Sequence, residues 1–243
     1  MTTATLVIPP VYRLTLRALL DGKRTLALGL LALLPVIPAI VFASAGEIDP
    51  QIFWARLVQR LIIPTVAAFV ALVIGASAIG DEREDGTILY LLSTPLSRPG
   101  LIVTKVLASW SAAALLLTPP VLVAGLIALG SDATPGRILW PIVGMLAAVL
   151  CYCALTAWLS TVTRRPVVIG VLYILLWEGS IATFAASADR LSVAAYGRVL
   201  AVEGVIDVNA PETAAPVAVI VLAAVTALAV RAAARRLTRT EMP

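Results

Sequence analysis

From Thr25 to Ser44 the chain reads TLALGLLALLPVIPAIVFAS, twenty residues without a charge. At about 1.5 Å per residue, a helical run of that length covers the roughly 30 Å hydrocarbon core of a bilayer. Five further apolar runs follow: Leu61 to Gly80, Ile102 to Leu129, Ile138 to Val162, Val167 to Ala186 and Ala214 to Val230. The third is long enough to tilt, or to break at Pro119-Pro120. The whole chain is 60% hydrophobic and 13% charged, with a mean hydropathy of +1.01. Soluble domains sit near or below zero because their charged residues stay in water. The expected fold class is therefore an all-α membrane protein of six transmembrane helices, a single domain over residues 1–243 without internal repeats. The first apolar run begins only after about two dozen residues and is full length, which argues against a cleavable signal peptide.

Charge placement orients the spans. Arg13, Arg17, Lys23 and Arg24 precede the first. Arg83, Arg98 and Lys105 lie between the second and third, Arg164 and Arg165 between the fourth and fifth, and Arg231, Arg235, Arg236 and Arg239 after the sixth. The positive-inside rule makes this the cytoplasmic side, with both termini inside. The opposite loops carry Glu47, Asp49, Asp132, Asp189, Glu203, Asp207 and Glu212 against Arg56, Arg60, Arg137, Arg190 and Arg198. The net charge of +4 thus marks inner loops rather than a nucleic-acid surface.

Two segments are neither span nor plain loop. PPVYRLTLRALLDGKR (Pro9 to Arg24) places Arg13 and Arg17 on one helical face and Leu14, Ala18 and Leu19 towards another. It reads as a basic amphipathic helix in the inner interface, or simply as flanking charge. The outer loop Ser187 to Thr213 contains RLSVAAYGRVLAVEGV, which suits short interfacial or re-entrant helices over the outer mouth.

Little in the chain suggests catalysis. Gly75 and Gly80 have the spacing of a phosphate loop, but Asp81 stands where the lysine belongs and would repel phosphate. There is no His, and no metal-ligand spacing is visible. Cys151 and Cys153, two apart on a helix, face about 200° from each other and read as apolar packing residues. Glu178, in YILLWEGSIATF, is a carboxylate near the middle of the fifth span. Such a group faces a substrate pathway or proton relay, or it is held by a helix–helix hydrogen bond or an ion pair, for example with Arg60.

The most informative stretch is AIGDEREDGTILYLLSTPLSRPG, Ala78 to Gly100. Asp81, Glu82, Arg83, Glu84 and Asp85 stand together at the inner end of the second span, where positive-inside logic would place base. An acidic cluster there suits a basic protein partner rather than lipid headgroups. After Gly86, the segment Thr87 to Arg98 sets Ile88, Leu91, Leu92 and Leu96 at near-helical spacing, stopped by Pro95 and Pro99-Gly100. This reads as short cytoplasmic helices with an apolar face and a charged face.

These residues resemble the signature of ABC-2-type exporter permeases. The matching positions are Glu84, Gly86, Thr87, Leu91, Leu92, Pro95, Ser97, Arg98 and Lys105. The stretches LLWEGSIATF and RLSVAAYG also resemble the fifth span and outer loop of the smaller members. The resemblance implies that residues 81–100 form a coupling-helix region docked on a separate cytoplasmic ABC ATPase, which alone binds ATP and Mg. The ATPase-coupling residues would be Asp81, Glu82, Arg83, Glu84, Asp85, Gly86, Thr87 and Arg98. It further implies a homodimeric permease in a 2+2 assembly, multi-pass in a prokaryotic cytoplasmic membrane, and a transport subunit rather than an enzyme. Gly29, Gly170, Gly179 and Ala223 would allow close helix approach. Pro35, Pro38, Pro64, Pro119 and Pro120 would soften the first three spans. Small hydroxyl side chains (Ser77, Thr118, Thr156, Ser160 and Thr183) would line the route, which leans towards a hydrophobic or amphipathic cargo. The alternative is a proton- or ion-coupled secondary transporter using Glu178, which would need no ATPase.

Overall fold

A computed structural model of the chain describes residues 7–45, 48–84, 98–163, 165–176, 192–202 and 213–239. The described residues build helices α1 (Pro9–Leu20), α2 (Lys23–Ala32), α3 (Val36–Ala45), α4 (Pro50–Leu57), α5 (Ala68–Glu84), α6 (Arg98–Leu129), α7 (Pro135–Val162), α8 (Pro166–Leu172), α9 (Val193–Val202) and α10 (Ala215–Arg239). A π-helical stretch, Val58–Ala67, joins α4 to α5.

Five stretches are long and apolar enough to cross a membrane: Lys23–Ser44, Pro50–Gly80, Pro99–Asp132, Pro135–Val162 and Ala215–Arg236. They contain five of the six expected spans. For the expected span Val167 to Ala186, the description ends within a shorter apolar helix, Pro166–Leu176, and residues 177–186 lie outside it.

The second span starts earlier than expected, at Pro50 rather than Leu61. Asp49 caps it by accepting the backbone N–H groups of Gln51 (2.8 Å) and Ile52 (3.3 Å), and Pro50 occupies the first helical position. Arg56 and Arg60, expected in an outer loop, are consequently exposed residues of this helix. Pro64 lies within the π stretch. A proline lacks the N–H of the ordinary ladder and its ring meets the carbonyl four residues back, so a wider turn relieves the conflict. Span one also yields near its prolines, with a turn at 33–35 separating α2 from α3. Span three does not, because α6 runs through Pro119 and Pro120 as one helix.

The helix α7 is the hub, packed against α5, α6, α9 and α10. Inside lipid no hydrophobic drive separates helix from acyl chain, so association rests on close packing of small residues. Gly75 meets α7 where a Cβ would run into the Thr156 hydroxyl and lie 3.1 Å from Cys153 Cα. Gly144 meets α9 at the backbone of Gly197 and Ala201. The side chain of Leu72 occupies the space a Cβ on Gly170 would take. Gly170, expected to serve close approach between copies, is therefore used inside the chain. Cys151 and Cys153 are fully buried in α7, as the apolar packing residues their spacing suggested.

The outer-loop helix α9 exists, but Ala194, Val199, Leu200 and Ala201 are buried. It is packed into the bundle beside α7, α10 and the π stretch rather than laid over the mouth. At that end of the bundle Trp54 is fully buried. Its indole N–H donates to Arg137 O at 2.9 Å, and its ring lies 3.1 Å from where a Gly125 Cβ would sit. It thus fastens α4 to α6 and α7. Trp54→Ala should cost about 3–5 kcal/mol, the usual range for deleting a buried tryptophan. Thermal unfolding in detergent measures this, and a melting point equal to the parent's would refute it.

Candidate functional site

The expected coupling segment begins on the end of α5. This helix continues past Gly80, so Asp81, Glu82, Arg83 and Glu84 form its last turn rather than a loop. Asp85, Gly86 and Thr87 lie outside the described residues, and Arg98 opens α6. Glu178, Gly179 and Thr183 also lie outside them. Gly75 and Gly80 sit within a continuous helix, where no phosphate loop exists.

One turn before the acidic residues, α5 is held from three directions. The Ser160 hydroxyl of α7, which donates its one proton mainly to Thr156 O at 2.8 Å, shares it with Ala76 O at 3.4 Å. The Arg24 guanidinium at the start of α2 donates to the Ser77 hydroxyl. The Lys105 ammonium of α6 donates to Ala78 O at 2.8 Å. Three consecutive residues thus each engage a different helix. A backbone carbonyl inside a helix already accepts the N–H four residues on, but its second lone pair remains for such a donor.

Lys105 is only 2% exposed. Counted among the inner basic residues in orienting the chain, it lies within the expected third span and is buried there. A lone lysine inside the apolar run LIVTKVLASW signals this, since a membrane-buried cation must find a partner. The hydroxyls expected to line a route are engaged as well. Ser77 donates to Val73 O at 2.8 Å, Thr156 to Tyr152 O at 2.9 Å and Ser160 to Thr156 O at 2.8 Å. All three are buried among helices of the same chain.

The helix α1 closes this end along α6. Ile8 N donates to Thr104 Oγ1 (3.0 Å) and Tyr12 OH to Ser111 Oγ (2.8 Å). Thr15 is buried, with Leu16 and Leu19 packed inward, while Arg13, Leu14, Arg17 and Ala18 are exposed. The amphipathic reading holds, but Leu14 and Ala18 point away from the protein rather than into it. Gly22, with φ of 125°, turns the chain from α1 into α2; other residues rarely adopt that conformation. Between α1, α2 and α5 lies a hollow of about 300 Å³ lined by Leu19, Asp21, Lys23, Arg24, Ile74 and Ser77.

Residues 11–241 match a family model described as ABC-2 family transporter protein. The chain belongs to the ABC-2 transporter family. It is the membrane subunit of such a transporter, a multi-pass permease whose residues include no ATPase domain. In ABC-2 transporters nucleotide is bound by ATPase partners, which accounts for the missing phosphate loop. No curated protein matches the chain.

Proposed function

We propose that this ABC-2 permease is the half of an ATP-driven exporter that forms the route as a homodimer, with two cytoplasmic ATPase subunits docked on residues 81–98. The observation that carries this reading is the continuity of α5, which runs from the centre of the bundle to Glu84 without a break. The acidic turn thereby stands on a rigid element beside the ends of α2, α6 and α7. The basic residues flanking the spans orient this end towards the cytoplasm. Asp81 to Asp85 and Arg98 grip a partner of mixed charge. The cargo is hydrophobic or amphipathic. Leu26, Leu30, Ile37, Ile40 and Val41 leave the face of the first span apolar, at 54–72% exposure, so a route built on such faces favours apolar matter.

The test is a pull-down of the tagged chain from gently solubilised membranes of its own organism, followed by mass spectrometry. A near-stoichiometric soluble protein carrying a Gly-x-x-x-x-Gly-Lys-Ser/Thr loop is the expected companion. A clean preparation with no ATPase would overturn docking and turn attention to Glu178 and the membrane potential.

A further inference from the structure

We propose that Ala76–Ala78 of α5 is the joint that carries displacement of the docking segment into the other spans, with Lys105 as its main positioning residue. The proposal rests on the docking reading above and adds the path by which a push on residues 81–98 reaches the far end of the bundle.

The geometry is that of a collar. Ala76 O, Ser77 Oγ and Ala78 O are engaged by Ser160, Arg24 and Lys105, from α7, α2 and α6 respectively. The engagement sits one turn before the acidic residues, so a tilt of the end of α5 is passed on there or nowhere nearby. Immediately beyond, Gly75 lies in backbone contact with α7 at Cys153, which gives that crossing little room to slide. The three links differ in kind. Ser160 also bonds its own helix, and Arg24 is at the exposed start of α2. Lys105 is nearly fully buried and reaches a carbonyl of the neighbouring helix at 2.8 Å, a charge-assisted bond in a medium of low dielectric. It also belongs to α6, which runs from Arg98 of the docking segment to Leu129.

The experiment uses the assembled transporter, permease with its ATPase, in lipid nanodiscs. A nitroxide on Ser131→Cys, an exposed position just past α6, reports the far end. Cys151 and Cys153 are fully buried and take no label. In the parent, ATP should change the label's spectrum. Lys105→Met keeps the side chain's bulk while removing the charge, a replacement that buried charges often tolerate. This variant should assemble and hydrolyse ATP at the parent rate, yet lose the spectral response. Lys105→Arg should restore it. A parent-like response in Lys105→Met overturns the joint while leaving docking intact. No ATPase retained by the parent overturns docking and the joint with it, whereas a retained ATPase with no response to ATP in the parent overturns the joint alone. If Lys105→Met fails to assemble, Arg24→Gln takes its place. A halved response then supports the joint and an unchanged one overturns it.

Discussion

Gly144→Ala is expected to destabilise the protein although alanine is the better helix former. A Cβ on Gly144 meets the Gly197 carbonyl oxygen, lies 2.7 Å from Ala201 N and lies 3.0 Å from Ala201 Cα. All three are backbone atoms, so no side chain can rotate away, and α9 must move bodily off α7. Overpacking of this kind costs about 1–3 kcal/mol, set against the roughly 1 kcal/mol that alanine gains over glycine in a helix. The matched control is Gly29→Ala in α2, where nothing lies within 4 Å of the added carbon; it should be neutral or slightly stabilising. Thermal unfolding of both variants, purified in one detergent, decides the matter. Equal melting points would show that the α7–α9 contact relaxes freely.

Glu84→Ala and Gly86→Val should each abolish ATP-driven export while the permease reaches the membrane at the parent level. Glu84 ends α5, so its truncation removes a charge from the tip of that helix. Gly86 is one of the positions matching the exporter signature, and valine removes the backbone freedom that glycine gives there. Transport by inverted vesicles with ATP, alongside an immunoblot for membrane level, gives the reading. Normal export by either variant would remove that residue from the coupling role.

Much of this was legible in the residues because hydropathy over twenty residues is a strong signal, and lipid imposes it directly. The boundaries were less so. A search for apolar runs stops at Arg60, whereas the helix begins at Pro50, because exposed arginines can snorkel out while the backbone stays helical. Asp49-Pro50 held the missing clue, an N-cap followed by a proline at the first turn. The RLSVAAYGRVLAVEGV stretch announced a helix, but its burial against Gly144 depends on a partner fifty residues away that no local pattern names. The collar was hidden for the same reason. Ser77, Lys105 and Ser160 read as two route-lining hydroxyls and an inner basic residue, and only the crossing of four helices turns them into one set of bonds. Residues 81–100 were singled out by the family resemblance alone, and the ABC-2 match bears out that resemblance at family level.

Lys105 also bears on how the chain is made. A ribosome delivers α5 before α6, so the Ala78 carbonyl already exists when Lys105 emerges. The lysine therefore need not enter lipid as a lone cation, a step that costs about 2.5–3.5 kcal/mol at mid-bilayer by translocon scales. The other two links are equally safe to synthesise in this order. Arg24 waits at the exposed end of α2 for Ser77, and Ser160 carries its own acceptor in Thr156 O at 2.8 Å. The second and third spans are thus suited to leave the translocon as a hairpin, already fastened at the end proposed for docking.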